Sequence, residues 1–404
     1  MSARRLFWTL VISSAAILAV TMGVRNAMGL FVSPLNTSTG LGIVQISFAL
    51  AVGQFVWGAA QPLFGMLADR IGSYKVIALG GLMLALGMAI TPFMSSGFGL
   101  IFAMGILTAA GAGAGSFSIL IGAAAQRLPP DRRSFASGFI NAGGSFGQFL
   151  FAPIAQALIG AFGWITAMLT LAATTLTTIL LALPLRERPG VAATRAAAQS
   201  GGVTLKEQTL AAFKDRSYLC LHAGFFTCGF HIAFLVTHLP GEVGLCGLPA
   251  SVAATSIAII GLANIVGSIG AGWLGQTQRM KMILVWMYGS RAAAVALYLM
   301  APKTPLTFYV FAAVLGVTWL STMPPTAGLV GKLFGPRYLA TLFGLTLLTH
   351  QIGGFFGAWL GGIAIASSGS YDWMWYADIA LAAAAALVNL PIREAHPKFA
   401  AAAA

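Results

Sequence analysis

The sequence predicts an all-α integral membrane protein, because its composition is strongly apolar and its apolar runs are long. Of its 404 residues, 58% are hydrophobic and 8% are charged, and the mean hydropathy is +0.87. A soluble domain carries about a quarter charged residues. We therefore expect most of this chain to lie in a lipid bilayer, which requires roughly 20 apolar residues for each helix that crosses its core.

Twelve apolar runs are long enough to cross a membrane as helices. They lie at residues 6–34, 42–68, 74–94, 98–126, 133–160, 164–184, 218–240, 249–275, 280–300, 304–332, 337–366 and 372–392. The 49 glycines suit close helix packing in lipid better than a barrel. Two arginines precede the first run, as in a signal peptide, but the run is too long and shows no cleavage site, so we expect a retained helix.

The basic residues fall almost entirely on one side of these twelve spans. The exceptions are Lys303, in a loop on the opposite side, and Arg25 and Arg291, inside spans. Because Lys and Arg accumulate in cytoplasmic loops, both termini are predicted to be cytoplasmic, and we expect a bacterial inner membrane. The net charge of +13 thus reflects topology, and no nucleic-acid partner is expected.

One long polar segment divides the chain into two halves. We predict an N-terminal six-helix bundle at residues 1–184, a cytoplasmic linker at 185–217 and a C-terminal six-helix bundle at 218–404. The halves repeat weakly, since Leu-Pro-Leu-Arg-Glu at 183–187 recurs as Leu-Pro-Ile-Arg-Glu at 390–394. Two pseudo-symmetric bundles that arose by duplication are the simplest explanation.

A short charged insert at residues 65–75 separates the second span from the third. It reads Gly-Met-Leu-Ala-Asp-Arg-Ile-Gly-Ser-Tyr-Lys. It resembles the loop signature of the major facilitator superfamily, G-x-L-a-D-r-x-G-r-k, and the twelve-span plan extends the resemblance over nearly the whole chain. The resemblance implies a transporter fold of two six-helix bundles.

The same insert is our candidate for a conformational latch between the two halves. The latch residues are Gly65, Asp69, Arg70, Gly72 and Lys75. A polar cluster around Asp69, which can pair with Arg70 or cap a neighbouring helix, would hold the halves together in one state and break in the other. The alternative is a plain basic turn that a glycine ends.

Ionisable residues inside the spans are costly in lipid and therefore point to functional positions. They are Arg25, His231, Arg291 and His350, whereas the nine acids lie in loops or near helix ends, with Asp378 the deepest. A cavity with cations and no carboxylate favours an anionic substrate, since arginine binds carboxylate through charge-assisted hydrogen bonds. It argues against cationic drugs.

Each of these four residues has more than one interpretation. Arg25 can bind the substrate anion, or it can reach the outer interface or form a structural hydrogen bond. Arg291 can bind substrate or pair with Asp378. His231 and His350 can bind substrate, handle a proton or serve in packing, and histidine is the side chain that titrates near neutral pH.

Uncharged polar and aromatic residues complete the predicted substrate site. They are Asn26, Gln54, Trp57, Asn141, Gln148, Trp319 and Gln351. Trp319 precedes Pro324-Pro325, where we predict a kink that frees backbone carbonyls. His238 and Glu242 have the spacing of a helical metal pair, but Pro240 intervenes and no third ligand is evident, so neither a metal nor a cofactor is expected.

Within the superfamily, the cationic cavity is most similar to the oxalate/formate and monocarboxylate carriers. Those carriers tend to place an arginine late in helix 8, where this chain has Ser268, and the acidic glycine-aromatic motif of monocarboxylate carriers is absent from the first span. We expect a monomeric secondary transporter, not an enzyme, that moves a small organic carboxylate by alternating access, with proton symport or anion exchange.

Two alternative functions remain open at this point. One is efflux of an amphipathic neutral or anionic compound. The other, of a different class, is a membrane enzyme or a sensor without transport, and the sequence offers no nucleophile–base pair, metal spacing or phosphate loop for it.

Overall fold

The part of the chain described by the computed structural model is helical, with no strand. The described residues are 3–125, 127–128, 130–186, 205–335 and 339–394. The predicted linker is therefore described only at its two ends, and its second end contains a short helix, Leu205–Phe213.

The first half contains six helical segments, numbered here α1 to α6. They are α1 as the successive pieces Ala3–Asn26, Met28–Phe31 and Val32–Thr39, α2 at Ile43–Ile71, α3 at Ser73–Ile90, α4 as the successive pieces Gly97–Leu100, Ile101–Thr108, Ala109–Ala114 and Phe117–Ala125, α5 at residues 130–162, and α6 at residues 164–175 and Thr177–Leu181. Gly163 separates α5 from α6 with a φ of 80°, a conformation that glycine adopts readily. The break falls where the sequence predicts a boundary between two spans.

The second half contains the remaining six segments, α7 to α12. They are α7 at Arg216–Leu245, α8 at Ala250–Thr277, α9 at Met280–Met300, α10 as Pro305–Thr318 and Met323–Phe334, α11 at Leu339–Ser368, and α12 at Asp372–Asn389. Among the described residues, nine helices are long and apolar enough to cross a membrane, and one of them, Gly138–Leu185, holds both α5 and α6. With α11 and α12 they account for the twelve predicted spans.

The helix pairings are the same in the two halves. α1 packs on α5, and its counterpart α7 packs on α11. Between the halves, α2 packs on α11, and its counterpart α8 packs on α5. The pairings therefore repeat when the halves are exchanged, as expected of two pseudo-symmetric six-helix bundles.

The two halves meet at the end of the molecule that lies away from the chain ends. There Ser47 of α2 lies against Gly362 of α11, and the rings of Phe48 and Trp359 are 5.5 Å apart. Toward the opposite end of the same helices, Gly65 and Gly344 have open space where a Cβ atom would lie. The space between the halves therefore opens toward the end where α1 begins and α12 ends.

Gly261 sets the close approach of α8 and α5. A Cβ atom at this position would lie 2.8 Å from the backbone nitrogen of Phe149 and 2.8 Å from the carbonyl oxygen of Ser145. Backbone atoms cannot move aside as a flexible side chain can, so α5 and α8 would have to separate. Gly270, on the same helix, has nothing within 4 Å of such an atom.

We expect Gly261→Ala to lower the midpoint of thermal unfolding, because overpacking at a tight helix contact costs about 1–3 kcal/mol. Gly270→Ala is the matched control, since it carries the same gain in helix propensity without a clash. Scanning fluorimetry of both purified variants tests this. Equal midpoints for the two variants would contradict the proposed contact.

Candidate functional site

A cavity lies between the two halves, near the middle of α1, α2, α5, α7, α10 and α11. The centre of a water molecule can occupy about 60 Å³ of this cavity. Its polar lining residues are Arg25, Asn26, Gln54, Asn141, Ser145, Gln148, His350 and Gln351, and Trp57 and Trp319 contribute aromatic walls. The cavity thus brings together nine of the eleven residues predicted to bind substrate, and His231 and Arg291 lie outside it.

Arg25 is the only arginine or lysine that lines this cavity among the described residues. Its guanidinium lies over the ring of Trp57, 4.4 Å from the centroid, and donates a hydrogen bond to Gln54. Gln54 and Trp57 occupy neighbouring positions one turn apart on α2, which is why both reach the same cation. No carboxylate among the described side chains lies within salt-bridge distance of Arg25. The cavity therefore carries a positive charge that the described residues do not neutralise.

Neutral amides also line the cavity. Asn26 donates to Gln148 over 3.1 Å, and Gln148 in turn donates to the carbonyl of Ile257 on α8 over 3.2 Å. Asn141, two turns before Gln148 on α5, also lines the cavity. This chain of amides connects the two halves beside the cavity.

His350 contributes to the cavity a ring nitrogen that has no hydrogen-bond partner in the part of the chain that the structure describes. Its Nδ1 lies 2.9 Å from the side-chain nitrogen of Gln351, and its Nε2 is buried without a hydrogen bond among the described residues. The ring packs against Phe225, with centroids 5.1 Å apart. His350 is therefore held in place on one side and free to bind on the other.

His231 does not face the cavity, and its position corrects one expectation. Its Nδ1 lies 2.5 Å from a carboxylate oxygen of Asp378, and both side chains are fully buried. The expectation that the membrane interior lacks a carboxylate was wrong. Asp378 is the seventh residue of α12, about 9 Å along the helix from its start, so proximity to a helix end did not mean exposure.

Arg291 neither lines the cavity nor pairs with Asp378. It donates to the carbonyl of Thr318 over 2.7 Å and to that of Trp319 over 3.2 Å. These carbonyls lie at the break between the two pieces of α10, just before Pro324-Pro325, where the sequence predicts freed carbonyls. Its substrate role is thus not supported by its position, and its bonds fix the broken helix.

The i, i+4 pair on α7 has separate partners rather than a common ligand. His238 donates through Nε2 to the carbonyl of Ala358 over 2.7 Å, and Glu242 accepts from the hydroxyl of Tyr298 over 2.7 Å. Glu242 is also buried, so it is a second carboxylate that the sequence analysis placed too near the surface.

Two polar residues of this region were missed as candidates, Ser145 and Asn264. The Asn264 amide donates to the Ser145 hydroxyl over 2.9 Å, and its oxygen accepts from the backbone nitrogen of Leu320 over 2.9 Å. Asn264 thus joins α8 to α5 and to the break in α10. A lone asparagine in the middle of an apolar span was the available signal.

The latch is described only in part. Gly72 joins α2 to α3 with a φ of 92°, which explains the glycine in the motif, and Lys75 is exposed. The side chains of Asp69 and Arg70 lie outside the described part of the structure, and their pairing stays a prediction.

Comparison with known proteins decides the family. The sequence profile of the Major Facilitator Superfamily matches residues 13–358, which is most of the chain. The chain belongs to this superfamily. It is therefore a multi-pass membrane transporter, and it is not an enzyme.

The similarity to other proteins extends along almost the whole chain. Monocarboxylate transporter 13 of Rattus norvegicus is 26% identical over 391 residues, covering 95% of this chain and 89% of the relative. The oxalate:formate antiporter of Oxalobacter formigenes is 24% identical over 383 residues, covering 91% and 86%. The crystal structure of a D-xylose-proton symporter matches with a TM-score of 0.77 at 14% identity, over 95% of this chain and 97% of the other, and shows the fold alone.

We expect Asn264→Ala to destabilise the protein by about 1–3 kcal/mol, because the Leu320 backbone nitrogen would lose its acceptor inside the membrane. The matched control is Asn36→Ala, at a half-buried position whose side chain makes no hydrogen bond among those described. Thermal unfolding in detergent provides the comparison. A control that unfolds at the same temperature as Asn264→Ala would contradict the role given to Asn264.

Proposed function

We propose that this transporter moves a small organic anion with a carboxylate group by alternating access. The observation that carries the proposal is Arg25, a cation in a cavity where the described residues offer no carboxylate. Guanidinium and carboxylate form paired charge-assisted hydrogen bonds, and these strengthen in a partly dry site. The Trp57 ring and Gln54 orient the guanidinium and leave its remaining donors for the substrate.

The size of the cavity and its remaining polar residues support a small substrate. The volume of about 60 Å³ that the centres of water molecules can occupy has room for only a few waters. Asn26, Gln148 and His350 can donate hydrogen bonds to the second end of such an anion. The similarity to proteins named as monocarboxylate and oxalate:formate transporters agrees with this class of substrate.

The remaining features of the proposal concern coupling and location. We assign transport to proton symport or anion exchange, in a bacterial inner membrane with both termini cytoplasmic, and by a monomer. The proton would be held by histidine, His231 or His350, as the sequence analysis predicts. The domain boundaries at residues 184 and 218 are part of the same proposal.

A second candidate function is efflux of an amphipathic compound, because much of the cavity wall is apolar. Leu18, Met22, Met323 and Leu347 line the side toward the open end. An amphipathic anion would bind Arg25 with its charged group and these side chains with its apolar part. Raised resistance on expression, together with no uptake of small carboxylates, would favour this alternative.

We expect Arg25→Gln to weaken binding of L-lactate, formate or oxalate by at least about tenfold, because a charge-assisted hydrogen bond is lost at the substrate. Binding is measured by isothermal titration calorimetry on purified protein, and uptake is measured in proteoliposomes. Arg279→Gln is the matched control, since it removes the same charge from an exposed loop position. If Arg25→Gln binds and transports like the control, the assignment of the anion site is wrong.

The latch leads to a separate expectation. If Asp69 stabilises one of the two states, Asp69→Asn changes the rate of exchange between states and leaves the cavity unchanged. We expect uptake to slow several-fold while the equilibrium affinity for the anion stays within about twofold. Asp372→Asn, at an exposed position on the opposite end, is the control. A loss of affinity equal to the loss of rate would contradict a purely conformational role.

A further inference from the structure

A second group of ionisable side chains lies behind the cavity wall, entirely within the second half. It consists of His231 on α7, Arg291 on α9 and Asp378 on α12, each no more than 1% exposed. His231 and Asp378 are 2.5 Å apart, and Arg291 acts electrostatically on His231. None of the three lines the cavity, so substrate contact does not explain them.

Several polar atoms of this cluster have no hydrogen-bond partner among the described residues. They are His231 Nε2, Asp378 Oδ1, and Nε and Nη1 of Arg291. A buried polar atom without a partner is destabilising, and a cluster with four of them needs an explanation. A site that changes its proton content during the transport cycle provides one, because no single arrangement can satisfy both states.

The charges of the cluster balance only when the pair holds one proton. With one proton in the hydrogen bond between them, His231 and Asp378 carry one negative charge, and Arg291, which stays protonated, neutralises it. A second proton leaves one net positive charge in the interior. Arg25 adds another positive charge when the cavity is empty. An anion bound at Arg25 removes that charge and makes the second proton less costly to hold.

Two side chains connect the cluster to the cavity. Trp319 lines the cavity, its ring lies 5.8 Å from that of His231, and its carbonyl accepts a hydrogen bond from Arg291 over 3.2 Å. His350, which also lines the cavity, interacts electrostatically with both Arg25 and Arg291. The cluster and the anion site are therefore close enough for the charge of one to affect the other.

Other titratable groups near the pair do not supply an alternative counter-charge. They are Cys228 on α7, Tyr288 on α9 and His350 on α11, all neutral in their ordinary forms. Glu242 of α7, the other buried carboxylate among the described residues, is about three turns from His231 and is held by Tyr298, beside Lys303.

We propose that the His231–Asp378 pair, with Arg291 as its fixed counter-charge, is the proton-binding site of this transporter, separate from the anion cavity and coupled to it by charge. The inference rests on the proposed function, since it takes Arg25 as the anion site. It assigns the proton to His231 with Asp378 and leaves His350 as a substrate contact.

Coupling of this kind is reciprocal. If the anion favours proton binding, the proton favours anion binding by the same factor. Between the fully deprotonated and fully protonated limits, the dissociation constant for the anion then falls by up to about tenfold for each unit by which the pH is lowered. A pair that merely ties α7 to α12 gives no such dependence.

Two variants give the cluster the net charge that it has in the fully protonated and in the fully deprotonated state of the pair. Asp378→Asn removes the negative charge and should bind oxalate and L-lactate at every pH as tightly as the wild type does at its acid limit. The double variant R291Q/D378N removes one charge of each sign. It should bind at every pH as weakly as the wild type at its alkaline limit. Asp372→Asn is the control and should keep the wild-type dependence.

The measurement is calorimetric titration of the purified full-length protein with each anion, above about pH 5, where both probes are ionised. The inference is supported if the wild-type dissociation constant falls as the pH is lowered, while the dissociation constants of both Asp378 variants do not change with pH. A wild-type slope that persists in Asp378→Asn or in the double variant overturns it. So does a wild type that binds the anions with no dependence on pH.

A second measurement keeps the inference testable if the substrate proposal fails or a variant does not fold. Infrared difference spectra of the wild type between acid and alkaline pH, without any anion, should show protonation of the pair. The signal is a C=O band if the proton lies on the Asp378 carboxyl group, or shifted Asp378 carboxylate bands if it lies on His231. Loss of these bands in Asp378→Asn, or in the double variant, supports the proton site, and a wild-type spectrum without either signal overturns it. Failure of the wild type to bind oxalate or L-lactate would instead count against Arg25 as the anion site.

Discussion

The structure depends on one unbalanced charge, the guanidinium of Arg25 at the contact between the halves. A charge in the membrane interior is costly unless it is paired, and among the described residues Arg25 has only a ring, Trp57, and an amide, Gln54, as partners. Both partners orient a cation and neither neutralises it. Among the described residues, the cavity therefore holds a positive charge surrounded by neutral polar side chains, which is the basis for proposing an anionic substrate.

The second half handles its buried arginine in a different way. Arg291 donates to the carbonyls that the break in α10 leaves without helical partners, and the carboxylate of Asp378 lies against His231 in the same buried cluster. The same break places Trp319 between this cluster and the cavity. A backbone irregularity that would be unstable in lipid is thus stabilised by a buried cation. It also provides a physical link between the His231–Asp378 pair and the cavity.

Much of this arrangement was predictable from the sequence, because the positions of apolar runs and glycines determine the spans. The twelve spans, the break near Pro324-Pro325 and the role of Arg25 as a cavity cation followed from composition and helical spacing. The complete burial of Asp378 did not follow, because hydropathy places a residue along a helix and not on one of its faces. The partner of His231 depends on how α7 packs against α12, and a single sequence carries no signal for that contact.

The central claim is that the substrate anion binds directly at Arg25. A structure of the protein determined with and without saturating oxalate tests this claim most directly. The account predicts new density against the Arg25 guanidinium, between Trp57 and His350, with no protein carboxylate within salt-bridge distance in the anion-free state. Density elsewhere in the cavity, or an Arg25 that pairs with a carboxylate of the protein when oxalate is absent, would contradict it.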